Sequence, residues 1–139
     1  MTAQEIFDKV AKHLITQNAR SNLLGDGVWE EGNTNSCMYR NHEGLACAVG
    51  CLIPDDHVII RKFNTSPIES VQHNGIDIDF LLPSDFSVNG AITFLRLLQR
   101  IHDFEPIADW PSQLRAVAAA YDLVVPAFLR VNESNASAT

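Results

Sequence analysis

The chain of 139 residues has no apolar run of the ~20 residues needed to cross a bilayer. Its first residues, Met1 to Glu5, lack the basic and apolar regions of a signal peptide, so we expect a cytoplasmic protein without membrane contact. Basic residues are also scarce, because ten Lys and Arg stand against seventeen Asp and Glu, for a formal charge of −7. Nucleic-acid binding requires clustered basic residues and is therefore disfavoured. An acidic face suits docking on a basic groove of another protein.

Several catalytic and binding motifs are absent from the sequence. It contains no G-x-S-x-G elbow, no H-E-x-x-H motif and no helix-turn-helix signature. The segment Gly25-Asp26-Gly27 is too short for a phosphate-binding loop, and no clear helix follows it. We therefore predict no cofactor.

Cysteines are few and odd in number, at positions 37, 47 and 51. An odd count in a reducing compartment argues against a disulfide framework. The simplest interpretation is that these thiols fill small spaces in a hydrophobic core.

Helical periodicity is the dominant pattern. Residues 2–18 combine a capping box, Thr2 with Glu5, and an apolar stripe. A second helix is predicted over about 88–103, with Ser87 as its cap, and a third from Trp110, where the following proline suits the first turn. The architecture of residues 58–86 is left open, although the alternation over 76–80 indicates a short half-exposed strand.

Two short apolar runs flank a polar turn that ends in Gly44, which predicts a β-hairpin over residues 37–47. The small residues from Ala48 to Ile53 then predict a short buried helix that ends at Pro54. The predicted fold class is α+β and predominantly helical, with three main helices. We expect one globular domain over residues 1–130 and a frayed polar tail over 131–139.

Four side chains form a candidate metal site: Cys37, Cys47, Cys51 and His57. Thiolates and imidazoles are the usual ligands of zinc, and Cys47 and Cys51 would share one face of a helix. Their spacing, however, matches no common zinc module, which usually opens with two cysteines close together in sequence. Core cysteines are the favoured interpretation.

A candidate catalytic set consists of Cys47, His102 and Asp103. Cys47 would open a helix, whose N-terminus lowers the pKa of a thiol, and the order Cys, His, Asp occurs in some thiol hydrolases. Because His102 and Asp103 are adjacent in sequence, we do not expect one side chain to orient the other. A His near a helix end also suits the helix dipole.

Two pairs of carboxylates, Asp55 with Asp56 and Asp77 with Asp79, are a third candidate. Paired acids hold Mg²⁺ or transfer protons, but the same residues are common in turns and on solvated strand faces. The solvated interpretation is favoured.

The strings Cys37-Met38-Tyr39-Arg40 and Glu43 to Asp56 contain the pattern C-x-Y-R, a Gly-containing turn, then C-A-V-G-x-L-I-P-D. This pattern resembles a family of small uncharacterised proteins of tailed phages and bacteria. Residues 6–19, 98–103, Trp110 and Leu114 resemble the same family, whereas residues 58–86 depart from it. The resemblance implies a phage or mobile-element accessory protein.

In that context the leading hypothesis is a non-enzymatic protein that binds a host protein and inhibits a host defence system. It depends on the acidic charge, one domain and the lack of a complete catalytic set. The alternative is a small thiol-dependent enzyme or ligand-binding protein that uses Cys47, His102 and Asp103. Self-association into a homo-oligomer is a third possibility.

Overall fold

The computed structural model describes residues 1–21, 38–41 and 43–130, so that Cys37 and the predicted tail over 131–139 lie outside the described residues. Five α-helices lie within these residues: α1 (Ala3–Gln17), α2 (Val58–Lys62), α3 (Ile68–His73), α4 (Val88–Phe104) and α5 (Trp110–Ala120). Four 3-10 turns accompany them, at Gly50–Leu52, Asp79–Leu81, Ile107–Asp109 and Ala127–Leu129. No helix in this part of the chain is both long and apolar enough to span a bilayer.

α1 begins with the predicted capping box. The Thr2 hydroxyl accepts a hydrogen bond from the Glu5 backbone N–H at 3.3 Å, and the Glu5 carboxylate accepts one from the Thr2 N–H at 2.9 Å. Each bond satisfies an N–H that has no partner within the helix. Asn18 ends the helix in the left-handed conformation, at φ 49°. The apolar stripe is buried along its length: Ala3, Ile6, Phe7, Val10, Ala11 and Leu14.

α4 and α5 pack on each other, and α5 also contacts α1. α4 begins where predicted, because the Ser87 hydroxyl accepts a hydrogen bond from the Gly90 N–H at 3.2 Å. α5 has its proline in the first turn, where a missing N–H costs nothing. Beside these helices the rings of Phe86, Phe94 and Tyr121 meet at centroid distances of 4.9 to 5.6 Å. The three predicted long helices are therefore present.

The predicted strand over residues 76–80 is wrong. Asp77 bends the chain there, because its carboxylate accepts a hydrogen bond from the Asp79 N–H at 2.9 Å, and a 3-10 turn follows. The alternation arises because Ile78 turns into the core while the neighbouring aspartates stay exposed. An Asx turn thus reproduces the period of a half-buried strand over a few residues.

The predicted β-hairpin is also wrong, and with it the α+β class: the described residues are helical and contain no strand or sheet. A single antiparallel bridge, between Arg40 and Ala46, stands where two strands were expected. Side-chain amides replace the ladder. Asn64 pairs with both backbone groups of Arg40, at 2.9 and 2.6 Å, and Gln17 accepts from the Ala46 N–H at 3.0 Å. Asn41 accepts from two N–H groups within its own turn, at 3.0 Å each. Backbone satisfied in this way needs no partner strand.

The predicted short buried helix after this turn takes the form of the 3-10 turn Gly50–Leu52. Gly50 lies so close to the Tyr39 carbonyl that a Cβ on it would sit 2.1 Å from that oxygen. Only glycine allows this approach, which presses the turn against residues 38–41. The turn also contacts α1.

Candidate functional site

Cys47 lies three residues before the Gly50–Leu52 turn and is 1% exposed. Its Sγ accepts a hydrogen bond from the Gly50 N–H at 3.2 Å. Burial raises the pKa of the Cys47 thiol to about 12, against smaller opposing effects of the hydrogen bonds from Gly50 and Gln99. The thiolate is the nucleophilic form of cysteine, so at neutral pH this thiol is protonated and shielded from substrate.

His102 and Asp103 form a bonded pair even though they are adjacent in sequence. The His102 Nδ1 and the Asp103 Oδ1 are 2.8 Å apart, so the imidazole donates to the carboxylate. Its other nitrogen, Nε2, accepts a hydrogen bond from the Ser21 backbone N–H at 2.9 Å. An atom that accepts from an N–H carries no proton, which fixes the tautomer with its proton on Nδ1. The expectation that these two side chains would not orient each other is wrong.

The pair belongs to a longer chain of hydrogen bonds. Gln99, one turn earlier on α4, donates to the same Asp103 oxygen at 2.7 Å and accepts from the Val49 N–H at 3.0 Å. We call this set the α4 polar network: Ser21, Val49, Gln99, His102 and Asp103. It ties Ser21, after α1, and Val49, before the 3-10 turn, to one face of α4.

Arg20 and Trp110 cover the end of α4 beside this network. The Arg20 guanidinium donates to the carbonyls of His102 and Glu105, the latter at 2.7 Å, and lies 5.7 Å from the centre of the Trp110 ring. A cation on the last carbonyls of a helix offsets the negative end of its dipole. The His102 ring stacks on Trp110 at a centroid distance of 5.8 Å, and His102 has no exposed surface.

The predicted catalytic residues therefore lie in one region, but their polar atoms form hydrogen bonds that stabilise the fold. The Nε2 lone pair that a general base would use is already bonded to Ser21. Among the described residues the Cys47 thiol forms no direct hydrogen bond with His102. The arrangement serves to satisfy buried polar groups.

The described candidate metal ligands take part in local hydrogen bonds instead of forming a metal site. The Cys51 thiol donates to the Ala48 carbonyl at 3.1 Å, and the His57 Nδ1 accepts from the Ile59 N–H, capping α2. Within residues 1–21, 38–41 and 43–130 no group of three His, Cys, Asp or Glu side chains is arranged to hold a metal ion.

An open cleft of about 440 Å³ lies between α1 and residues 40–55. We call it the basic cleft, because Lys9, His13 and Arg40 line it, with Asp55 as the acidic group among its lining residues. The other lining residues are apolar or small: Gly44, Ala46, Cys51, Leu52, Ile53 and Pro54.

Arg40 is fixed in the wall of the basic cleft. One terminal nitrogen, Nη2, donates to the Ile53 carbonyl and to the Asp55 carboxylate, both at 2.9 Å. The Asp55 side chain is almost fully exposed, so this ion pair contributes little stability. Among the described residues no acceptor contacts the Arg40 Nε, and none is bonded to Nη1.

His13, on α1, and Cys51 line the same cleft. The His13 Nε2 donates to the Ala46 carbonyl at 2.8 Å, and burial lowers the pKa of this imidazole. Burial raises the pKa of the Cys51 thiol to about 12, opposed by the positive charges of Lys9 and Arg40. Lys9, Arg40 and Cys51 all line this cleft.

The carboxylate candidates form a surface rather than a metal site. The rings of His57 and Phe80 contact each other at a centroid distance of 5.0 Å. This contact joins the turn of Asp55 and Asp56 to the turn of Asp77 and Asp79, and all four carboxylates belong to exposed residues. Phe80, which follows Asp79 in sequence, is 40% exposed. We call these five residues, Asp55, Asp56, Asp77, Asp79 and Phe80, the acidic surface.

Sequence reasoning missed the basic cleft. Lys9 and His13 are four residues apart and so share a helix face, which the sequence alone could have indicated. Arg40 reaches them only through the non-local packing of residues 38–55 on α1, which no local pattern encodes.

Comparison of the chain with protein-family models, with curated proteins and with solved structures found no match in any of the three.

Proposed function

We propose that this protein is a non-enzymatic binding protein whose acidic surface docks on a basic surface of another protein. The observation that carries the proposal is the His57–Phe80 ring contact, which unites two separate aspartate pairs around one half-exposed aromatic ring. Aromatic residues are enriched among the side chains that dominate the energy of protein interfaces. Charges around such an anchor select a partner of opposite sign and speed its association.

The net charge of −7 supports the same choice of partner. The acidic surface lacks the grouping of ligands that a cation would need among the described residues. All four of its aspartates are exposed, and within the described residues one of them forms an ion pair, Asp55 with Arg40 at 2.9 Å. The Arg61 guanidinium lies near Asp56 but donates to its backbone carbonyl, at 3.1 Å. A basic groove on a partner would supply the missing counter-charges.

The thiol-enzyme alternative is disfavoured by the geometry of its own residues. Cys47 is buried and protonated, and both nitrogens of His102 are engaged. Catalysis through this set would require the α4 polar network to open.

The resemblance to small phage proteins suggests where the partner is found. In this proposal the protein is an accessory product of a phage or mobile element, works in the host cytoplasm and binds a host protein. Inhibition of a host defence system is the form of action that stoichiometric binding suits best.

The test compares two variants that change net charge equally. Asp56→Asn with Asp79→Asn removes two charges from the acidic surface, whereas Asp109→Asn with Asp122→Asn removes two charges at the ends of α5. Immobilised protein is incubated with host lysate at low and high salt, and retained proteins are quantified by mass spectrometry. We expect one partner to be retained by the unchanged chain and by the α5 variant. It should be lost from the Asp56/Asp79 variant, from Phe80→Ala and at high salt.

Equal retention by both charge variants would overturn the proposal, since a non-specific electrostatic effect depends only on net charge. Retention of no protein at micromolar concentration would overturn it as well. Circular dichroism of Phe80→Ala checks that the variant is folded, because Phe80 also packs on His57.

A further inference from the structure

The basic cleft is an exception in the charge distribution of this acidic protein. Two of its ten Lys and Arg residues, Lys9 and Arg40, line a single opening together with His13. Lys9 is exposed and forms no ion pair with any residue in the described ranges. Converging cations without enough carboxylates to balance them attract an anion from solution.

The Arg40 guanidinium is a hydrogen-bond donor that the fold holds in place before any ligand binds. Its bonds to Ile53 and Asp55 hold the guanidinium in place through Nη2 alone. Nη1 keeps its hydrogens available, because no described residue accepts from it. A guanidinium fixed before binding loses less side-chain entropy when an anion arrives.

We propose that the basic cleft is a binding site for a small phosphate-bearing molecule, with Lys9 and the Nη1 of Arg40 contacting the phosphoryl oxygens from opposite walls. This site shares Asp55 with the acidic surface, but Lys9 and Arg40 lie outside that surface, and the proposal does not depend on docking there. The volume of about 440 Å³ is within the range of small-ligand pockets, which is ~300 to 1,000 Å³.

A phosphoryl group fits this arrangement better than a carboxylate. Its oxygens point in several directions, so cations on two walls of a cleft contact it at once, whereas a carboxylate presents two oxygens on one side. A nucleic-acid backbone fits poorly, because its repeated phosphates would meet the negative charge of the acidic surface next to Asp55. The apolar wall of Leu52, Ile53 and Pro54 would contact the remainder of the ligand.

The experiment uses the full chain and inorganic pyrophosphate, with inorganic phosphate as the smaller probe, titrated by calorimetry at constant ionic strength. We expect saturable binding of pyrophosphate with one site per chain. Lys9→Gln should weaken it about tenfold, because a charge-assisted hydrogen bond is lost. The matched control is Lys12→Gln, which removes the same charge from an exposed position of α1 outside the cleft and should change the affinity less than about twofold.

A third variant should act in the opposite direction. Asp55→Asn removes the carboxylate that competes for Arg40 and should tighten pyrophosphate binding by about two- to fivefold. This substitution leaves the Asp56 and Asp79 charges of the docking test untouched, so failure of one proposal is distinguishable from failure of the other.

The proposal is overturned by three results. The first is the absence of saturable binding of either probe. The second is equal weakening by Lys9→Gln and Lys12→Gln, which would indicate only non-specific attraction. The third is binding of a single-stranded oligonucleotide more tightly than pyrophosphate, which would assign the basic side chains to a polymer.

Discussion

Two regions of this protein use the same kinds of side chain for opposite purposes. The α4 polar network and its neighbour Cys47 place a thiol and an imidazole in the interior, where each nitrogen of His102 has a partner. The basic cleft places Cys51 and His13 at an opening, beside Lys9, which forms no ion pair within the described residues, and Arg40, which is bonded there through Nη2. Residue type therefore does not distinguish a structural group from a binding group in this chain. Burial and hydrogen-bond saturation do.

The largest expected effect on stability is the removal of the His102 imidazole from the α4 polar network. His102→Ala leaves the Ser21 N–H unpaired inside the protein and empties the space beside Trp110. We expect a loss of about 3 kcal/mol in the free energy of unfolding, measured by urea denaturation at neutral pH.

The control for this substitution is His73→Ala, at an exposed position in the last turn of α3, which should change stability by less than about 0.5 kcal/mol. If both substitutions cost the same, the α4 polar network does not stabilise the fold in the way its geometry implies.

A smaller difference in stability is expected between substitutions of the two thiols, Cys47 and Cys51. Cys47→Ser puts a hydroxyl into a fully buried site and should cost about 1 to 2 kcal/mol. Cys51→Ser should cost less than about 0.5 kcal/mol, because its position is partly exposed and the new hydroxyl can donate to the Ala48 carbonyl as the thiol does. Chemical denaturation of both variants measures the contrast. Equal losses would show that the open cleft is as tightly constrained as the interior.

The smallest expected effect is the pH dependence that His13 contributes. Burial, opposed by the hydrogen bond to the Ala46 carbonyl and aided by the positive charge of Arg40, lowers the pKa of His13 in the folded chain below its ordinary value of 6.5. As the pH falls below 6.5, the unfolded chain binds a proton that the folded chain binds less readily, so stability decreases.

His13→Gln keeps a donor for the Ala46 carbonyl but cannot titrate. The decrease in unfolding free energy between about pH 6.5 and 5 should therefore be shallower in this variant. The lowered pKa of Glu5, caused first by its hydrogen bond with the Thr2 backbone, acts at more acid pH and leaves this window clear. An unchanged slope would mean that His13 titrates alike in both states.

The long helices were predictable because their signals are local. The Thr2–Glu5 capping box, the Ser87 cap and the proline of α5 each mark a helix start within four residues. The hairpin prediction failed because the backbone on either side of the same polar turn can form hydrogen bonds either with a partner strand or with side-chain amides. Asn64 and Gln17, distant in sequence, supply the amides that replace a strand partner, and a local pattern contains no information about them.

In the candidate site, too, some features could be predicted from local sequence and others depend on residues distant in sequence. The sequence suggested Cys47, His102 and Asp103 as one set, but the burial of Cys47 and His102, and the Ser21 N–H bonded to Nε2, depend on tertiary packing. The metal candidates could be doubted from spacing alone. Arg40 could not be assigned to a cleft, since its role depends on the position of residues 51–55 against α1.

The contact between Gly50 and the Tyr39 carbonyl has a consequence for how this sequence tolerates substitution. In a library that samples every residue at each glycine, position 50 should accept no replacement, because even a methyl group meets the carbonyl oxygen at 2.1 Å. Gly44 and Gly75 face open space at φ +81° and should accept asparagine, which tolerates that conformation. One position is thus constrained by volume and two by backbone angle. The residues accepted at each position would therefore show whether the position is constrained by volume or by backbone angle.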